Sequence, residues 1–152
     1  MSRAQTSRAV LPSGDRAFIA LQKAADKLAQ QAEQLVKPNG LTGAQYNVLR
    51  ILRGAEPQGL PCSSISERMI SHDPDITRLL DRMEKRNLIT RQRQSDDRRV
   101  VKTRITRSGL EVLKRLDTPI RELHKRQFAH MGTASVKTLA DLLERICAQD
   151  GE

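Results

Sequence analysis

Arginine is the residue type whose spacing in this chain most clearly suggests a chemical task. Residues 92–106 read QRQSDDRRVVKTRIT and place Arg98 and Arg99 in a tight turn between two short alternating runs. A helical pattern before them places Arg78 and Arg82 four residues apart. A guanidinium is permanently charged and carries five donors in a planar fork, which suits phosphate oxygens and base edges. These positions therefore predict binding to a polyanion.

The charge of the chain is concentrated around those arginines. The net charge is +9, from 27 basic and 18 acidic residues. Residues 68–107 hold twelve basic and six acidic side chains, so about a quarter of the chain carries two thirds of the excess. The segment has no aromatic residue, and readers of single strands and RNA depend on aromatic stacking. We interpret this as a surface for double-stranded DNA, ahead of an anionic membrane or a merely solvated basic surface.

Several function classes lack support in the sequence. We found no nucleophile–base arrangement, phosphate-binding glycine loop or paired carboxylates, so we expect no enzyme and no cofactor. His72, His124 and His130 have no metal-ligand spacing with each other or with Cys62 or Cys147, so no metal site is expected. No apolar run approaches the roughly 18 residues of a membrane span, and no signal peptide is present. A cytoplasmic protein without a membrane partner is the simplest expectation.

The two ends of the chain predict a helical dimerisation region. Residues 1–14 form a basic segment that we expect to be a flexible arm. Residues 15–38 and 108–150 contain helices whose apolar residues recur at spacings of three and four, which is the seam of a helix packed on another helix. Pro119 predicts a kink or a break in the first helix of the second region. Because two Phe, one Tyr and no Trp leave a modest core, we expect a homodimer.

Between these regions, residues 41–107 predict a compact lobe with short capped helices. Thr42 with Gln45, and Ser64 with Glu67, each match the Ser/Thr-x-x-Glu/Gln pattern of a capping box. Residues 54–61, GAEPQGLP, predict a loop between the two helices. A short helix, a turn and a longer helix then follow in the order of a helix-turn-helix.

The longer helix has one apolar and one basic side. Asp73 before Pro74 predicts the helix start, with Asp73 as the N-cap. The alternative to DNA contact on the basic side is a solvated surface with i,i+4 pairs, such as Asp81 with Lys85. The predicted inner positions are Ile76, Leu79, Leu80 and Met83, and the outer ones are Arg78, Asp81, Arg82 and Lys85.

A two-stranded hairpin follows the longer helix. Residues 89–93 and 101–105 predict the strands, and residues 95–99 predict the tip. An arginine at such a tip suits the negative potential of a narrow minor groove. The predicted fold class is mainly α, a winged helix-turn-helix with a two-stranded wing and terminal dimerisation helices.

Four stretches together resemble the MarR family of winged helix-turn-helix transcription regulators. They are LTGAQYNVLRIL, SSISERM, DITRLLDRMEKRNLITR and SDDRRVVKTRITRSG, with the two seam helices at either side. The resemblance covers nearly the whole chain after the first dozen residues. It implies a homodimeric repressor of transcription that binds a pseudo-palindromic DNA site and is released by a small aromatic ligand.

The resemblance also implies roles for individual residues. The longer helix would enter the major groove, and Arg99 would enter the minor groove, supported by Asp97, with Arg98 on a phosphate. Asp75 would accept from cytosine, pair with a neighbouring arginine or point away, and we favour the pair. Ser71 and His72 would lie near the DNA backbone. The implied base contacts come from Asp75, Thr77, Arg78 and Arg82, and the candidate ligand contacts are Phe18, Tyr46 and Phe128.

Two other functions remain open on the sequence. A winged helix can serve as a protein–protein assembly module. Such a scaffold would not need arginine at both the helix and the hairpin tip. Cys62, which precedes a helix start, could make the chain a thiol-based redox-sensing regulator.

Overall fold

The computed structural model describes residues 11–149, and these form six α-helices and three β-strands. Residues 1–10, which hold most of the predicted arm, and residues 150–152 lie outside the described part. The helices are α1 (Ser13–Val36), α2 (Gly43–Gly54), α3 (Cys62–Arg68), α4 (Ile76–Lys85), α5 (Arg107–Phe128) and α6 (Thr133–Cys147). The strands are β1 (Leu60–Pro61), β2 (Ile89–Arg93) and β3 (Val101–Ile105).

The lobe is built around an aliphatic core. Side chains from α2, α3, α4, the sheet and α5 pack there, and leucine is the commonest contributor. Val48, Leu49, Ile65, Met83 and Leu113 are fully buried. An aliphatic core is consistent with a sequence that contains two Phe, one Tyr and no Trp.

The sheet is antiparallel with strand order β1-β3-β2. The predicted hairpin is present, with Ile89 opposite Ile105 and Arg93 opposite Val101. The third strand was not predicted, because β1 is two residues long and lies in the segment expected to be a loop. It reaches β3 through Gly59, which has a φ of +70° and leaves no room for a Cβ, since one would lie 2.5 Å from the carbonyl oxygen of Thr103.

Two predicted helix caps are corrected by the structure. The capping box of Thr42 and Gln45 is present at α2. The one predicted for Ser64 is wrong, because α3 already begins at Cys62, directly after β1, with no side-chain cap. The N-cap of α4 is Asp75, whereas the Asp73 carboxylate accepts from the backbone N–H of Asp75 at 2.8 Å.

Helix α1 begins earlier than expected, and α5 is continuous through its proline. α1 begins at Ser13, so the last two residues of the predicted arm are helical. α5 passes through Pro119 without the break that was considered, since the exposed side of the helix lets water bond the carbonyl freed at Arg115. α6 begins at Thr133, directly after Gly132.

Candidate nucleic-acid interface

Helix α4 presents one basic side to solvent. Leu79, Leu80 and Met83 are buried and fix the rotation of the helix on the lobe. Arg82 and Lys85 are exposed, and the side chain of Arg78 is 80% exposed. The helical period thus separates the packing side from a side on which guanidinium groups are available for an anion.

The start of α4 is shaped by aspartates. Asp75 Oδ1 accepts from the backbone N–H of Arg78 at 3.2 Å, and Asp75 Oδ2 lies 3.2 Å from Arg78 Nε. The favoured pairing of Asp75 with an arginine is therefore present. Ser71, His72 and Thr77 are exposed around this helix start.

The turn before α4 is fixed to helix α2. The backbone N–H of Ile70 donates to Asn47 Oδ1 at 2.8 Å. This bond holds the chain between α3 and α4 against the lobe, although the Ile70 side chain itself is exposed. Ser71 and His72 therefore come directly after a residue whose backbone is held by α2.

The wing tip is a closed turn with two exposed arginines. Gln94 N–H donates to the Val100 carbonyl at 2.9 Å and closes the loop. Asp97 Oδ1 accepts from the Arg99 backbone N–H at 3.0 Å, so Asp97 orders the backbone of the tip. In residues 11–149, neither Arg98 nor Arg99 forms an ion pair.

A cluster of one arginine and two acids joins the wing to α4, and the sequence analysis did not identify it. Arg91 Nη2 lies 2.6 Å from Glu84 Oε2 and 2.5 Å from Asp81 Oδ1. Arg91 Nε donates to Glu84 Oε2, and its backbone N–H donates to Glu84 Oε1, both at 3.0 Å. Asp81 therefore pairs with Arg91 and not with Lys85, the partner named in the alternative of a solvated surface. We call Asp81, Glu84 and Arg91 the wing-base cluster.

Contact within the wing-base cluster shifts the pKa values of Glu84 and Arg91. Hydrogen bonding to the Arg91 side chain, the largest cause, lowers the pKa of Glu84 below its ordinary value. Hydrogen bonding to Glu84 raises the pKa of Arg91. Both groups therefore stay charged at neutral pH, and their charges cancel locally. The acidic pair at i and i+3 on α4, with an arginine in the next strand, was the available sequence signal.

The junction between lobe and terminal helices is also polar. Arg53 Nη1 on α2 contacts both carboxylate oxygens of Asp117 on α5 at 3.0 Å. Glu33 on α1 accepts from the backbone N–H of Gly43 at 2.6 Å. These contacts fix α2 to the helices on either side of the lobe.

The three candidate ligand aromatics are spread along this junction. Phe18 is 64% exposed on α1. Gln127, next to Phe128, donates to the Leu28 carbonyl, so about 15 Å of helix separates the levels of Phe128 and Phe18. Tyr46 is half-buried with Arg50 6.0 Å from its ring centre, and burial raises its pKa. Phe18 and Phe128 thus lie at different levels of the terminal helices.

A shallow surface depression on α5 is not lined by an aromatic residue. It has a volume of about 330 Å³ and is lined by Glu111, Lys114 and Arg115 of α5. All three side chains are charged and exposed.

The cysteines and the remaining titratable groups are dispersed. Cys62 is half-buried at the start of α3 and packs against the core, and Cys147 is exposed at the end of α6. No group of three metal-ligating side chains occurs among residues 11–149. Within the same residues, no helix is long and apolar enough to cross a membrane.

Comparison with known proteins identifies the family. The sequence model of the MarR family matches residues 41–101. The chain is 31% identical over 130 residues to the HTH-type transcriptional repressor IacR of Pseudomonas putida, an alignment that covers 86% of this chain and 77% of that protein. The chain belongs to the MarR family. The resemblance found in the sequence is thereby confirmed.

Two further relatives of this MarR-family protein match over most of their length. It is 28% identical over 134 residues to the Homoprotocatechuate degradative operon repressor of Escherichia coli, covering 88% of this chain and 89% of the relative. The crystal structure of a MarR transcription factor from Planctomyces limnophilus is 35% identical and covers 89% of this chain and 98% of that one, with a TM-score of 0.67. The MarR-family protein is a DNA-binding winged-helix transcription regulator and not an enzyme.

Proposed function

We propose that this MarR-family protein is a homodimeric, cytoplasmic repressor that binds a pseudo-palindromic duplex. Each α4 enters a major groove, where Thr77, Arg78 and Arg82 contact base edges. Each wing places Arg99 in the adjacent minor groove and Arg98 on a phosphate. Ser71 and His72 contact the DNA backbone. Asp75 acts here by capping α4 and holding Arg78.

The observation that carries this proposal is which charged side chains of α4 and the wing are paired and which are not. The acids of α4 are engaged by Arg91, and Asp97 is engaged by the tip backbone. Among residues 11–149, Arg82, Arg98 and Arg99 have no carboxylate partner. Their charges are available for phosphates, with release of counterions from the duplex. An assembly scaffold would not require this arrangement.

Exposed apolar side chains support the homodimer. No residue of α6 is buried, yet Ile146 is 60% exposed and Leu142 is also exposed. On α1 only Val36 is buried, and Phe18 lies in the open. Such apolar residues on two terminal helices are stabilised when a second copy covers them. The domain division of the proposal follows: residues 15–38 and 108–150 join the subunits, and residues 41–107 bind DNA.

We also propose that a small aromatic acid releases the protein from DNA. The name of the E. coli relative refers to homoprotocatechuate, which is an aromatic carboxylic acid. In this chain Tyr46 lies beside Arg50 and near the Arg53–Asp117 pair, which joins the lobe to α5. A ring against Tyr46 and a carboxylate on these guanidinium groups would favour one lobe orientation. A ligand shifts the equilibrium only if it binds the non-DNA-binding geometry more tightly.

The proposed DNA contact is tested by removing the wing-tip guanidinium. We expect Arg99→Ala to weaken binding to a duplex selected by the wild-type protein by at least about tenfold, since a good arginine contact contributes about 1–3 kcal/mol. The measurement is fluorescence anisotropy at fixed salt. Arg121→Ala, which removes an exposed arginine from α5, is the matched control and should bind like wild type. Equal affinity of Arg99→Ala and wild type would support the assembly-module alternative.

A further inference from the structure

We propose that Arg91 is a positioning residue that sets the wing against α4, so that the wing tip and α4 engage adjacent grooves together. The inference rests on the proposed DNA-binding function. It assigns Arg91 a role that acts through Arg99 rather than by contact with DNA. Glu84 is its main partner on the helix.

The guanidinium group of Arg91 points at the two carboxylates of α4. Arg91 uses Nε and Nη2 toward Glu84, and Nη2 also reaches Asp81. Glu84 in addition accepts from the backbone N–H of Arg91, which fixes the strand itself and not only the side chain. Within the described chain, these are the side-chain bonds that connect the wing strands to α4. A lysine cannot reproduce a planar fork of this kind.

The cluster lies where the apolar support of the wing ends. Ile89 and Ile105 pair at the base of the hairpin and are buried, and Thr103, opposite Arg91, is also buried. Farther out, Arg93 and its partner Val101 are exposed. On the β2 side, the bonds of Arg91 are the outermost described side-chain bonds from the wing to α4, while on the other side β1 pairs with β3 as far as Lys102.

Small rotations at this point have large effects at the tip. About five residues of strand and turn separate Arg91 from the tip, a reach of about 15 Å. A rotation of about 10° would then displace Arg99 by about 2–3 Å. A hydrogen bond does not survive a displacement of that size. Contact of α4 with the major groove alone cannot compensate for a misplaced tip.

A direct phosphate contact by Arg91 is the competing role, and the two roles predict opposite effects of one substitution. Arg91 is only 24% exposed and is already bonded to two acids. If Arg91 bound phosphate, Glu84→Gln would free its guanidinium and remove a negative charge near DNA, so binding would become tighter. If Arg91 positions the wing, Glu84→Gln loosens the hairpin and weakens binding.

The experiment is a double-mutant cycle on the selected duplex. Arg91→Gln and Glu84→Gln are each measured alone and combined with Arg99→Ala, in the full-length protein. We expect each single substitution to weaken binding about three- to tenfold in the wild-type background. We expect little further loss in the Arg99→Ala background, because interacting sites are not additive. Arg121→Ala in both backgrounds is the additive control.

The outcomes separate this inference from the proposed function. Tighter binding by Glu84→Gln, or an equal loss for Arg91→Gln with and without Arg99, would overturn the positioning role while the DNA-binding proposal stands. An Arg99→Ala variant that binds like wild type would instead overturn the wing contact itself. If Arg91→Gln fails to fold, Glu84→Gln decides the question, because Gln is nearly isosteric with Glu and keeps the hydrogen bond to the strand N–H.

Discussion

At the scale of residues, the acidic side chains of the lobe are used to orient arginines. Asp75 caps α4 and holds Arg78, and Asp97 fixes the backbone at Arg99. Glu84 holds Arg91 at the wing base. A carboxylate near DNA is repelled by phosphates unless its charge is compensated. Asp75 and Glu84 thus lie close to the proposed interface with an arginine beside each carboxylate.

The titration of Glu84 gives a test at this scale. Its folded-state pKa is lowered, so the Glu84–Arg91 contact stabilises the fold above the unfolded pKa, and that contribution is lost as the pH falls through the lower, folded pKa. We therefore expect wild type to be more stable than Glu84→Gln at neutral pH, with a difference that shrinks below about pH 4. Denaturant midpoints across a pH series measure it. Asp81 and Arg91 are the charged groups that face Glu84, and a difference independent of pH down to strong acid would contradict the assignment.

The residues that sequence could identify are those whose role is set locally. Arg98 and Arg99 occupy a turn that can be predicted from its local amino-acid sequence. Arg91 was missed because its partners are fixed by how the wing packs on α4. The same packing overrode the spacing rule for Asp81, which pairs across the fold rather than with Lys85.

At the scale of elements, short helices begin where local caps and tertiary contacts agree. In α2, Thr42 and Gln45 satisfy each other's N–H groups, and the Gly43 N–H is bonded by Glu33 of α1. The same sequence pattern occurs at Ser64 and Glu67, yet α3 begins two residues before Ser64, at Cys62. It begins there because Pro61, the preceding residue, is the last one of β1 that pairs with β3. The presence and the order of the helices and of the two hairpin strands were therefore predictable from the sequence. The start of α3 and the two-residue strand were not, because both depend on β3.

The cap of α2 gives a test at this scale. Thr42→Ala should reduce the free energy of unfolding by about 0.5–2 kcal/mol, because the N–H of Gln45 loses its acceptor at the helix start. Thr42→Ser keeps the hydroxyl and should stay close to wild type. Urea denaturation followed by circular dichroism measures both. Equal loss in the two variants would show that the Thr42 methyl group, rather than the cap, stabilises the helix.

At the scale of the whole molecule, the lobe and the terminal helices have different surfaces. The lobe has a closed aliphatic core and a basic outer side, whereas α1 and α6 expose apolar residues. Arg53 with Asp117, and Glu33 with Gly43, connect the two regions. In the proposed dimer these contacts transmit the geometry of the paired helices to the spacing between the two α4 helices. The three- and four-residue spacing of apolar residues indicated this division in the sequence. The polar contacts between the two regions could be identified only from the folded structure.

The measurement that tests the account most directly is selection of bound duplexes from a random library by the purified protein. A homodimer that places two α4 helices on one side of DNA predicts enrichment of an inverted repeat, with half-site centres about one helical turn, 10–10.5 base pairs, apart. An A·T-rich narrow minor groove is expected where each wing tip lies. A pool without enrichment, or one with a single unrepeated half-site, would contradict the proposed symmetric DNA-binding dimer.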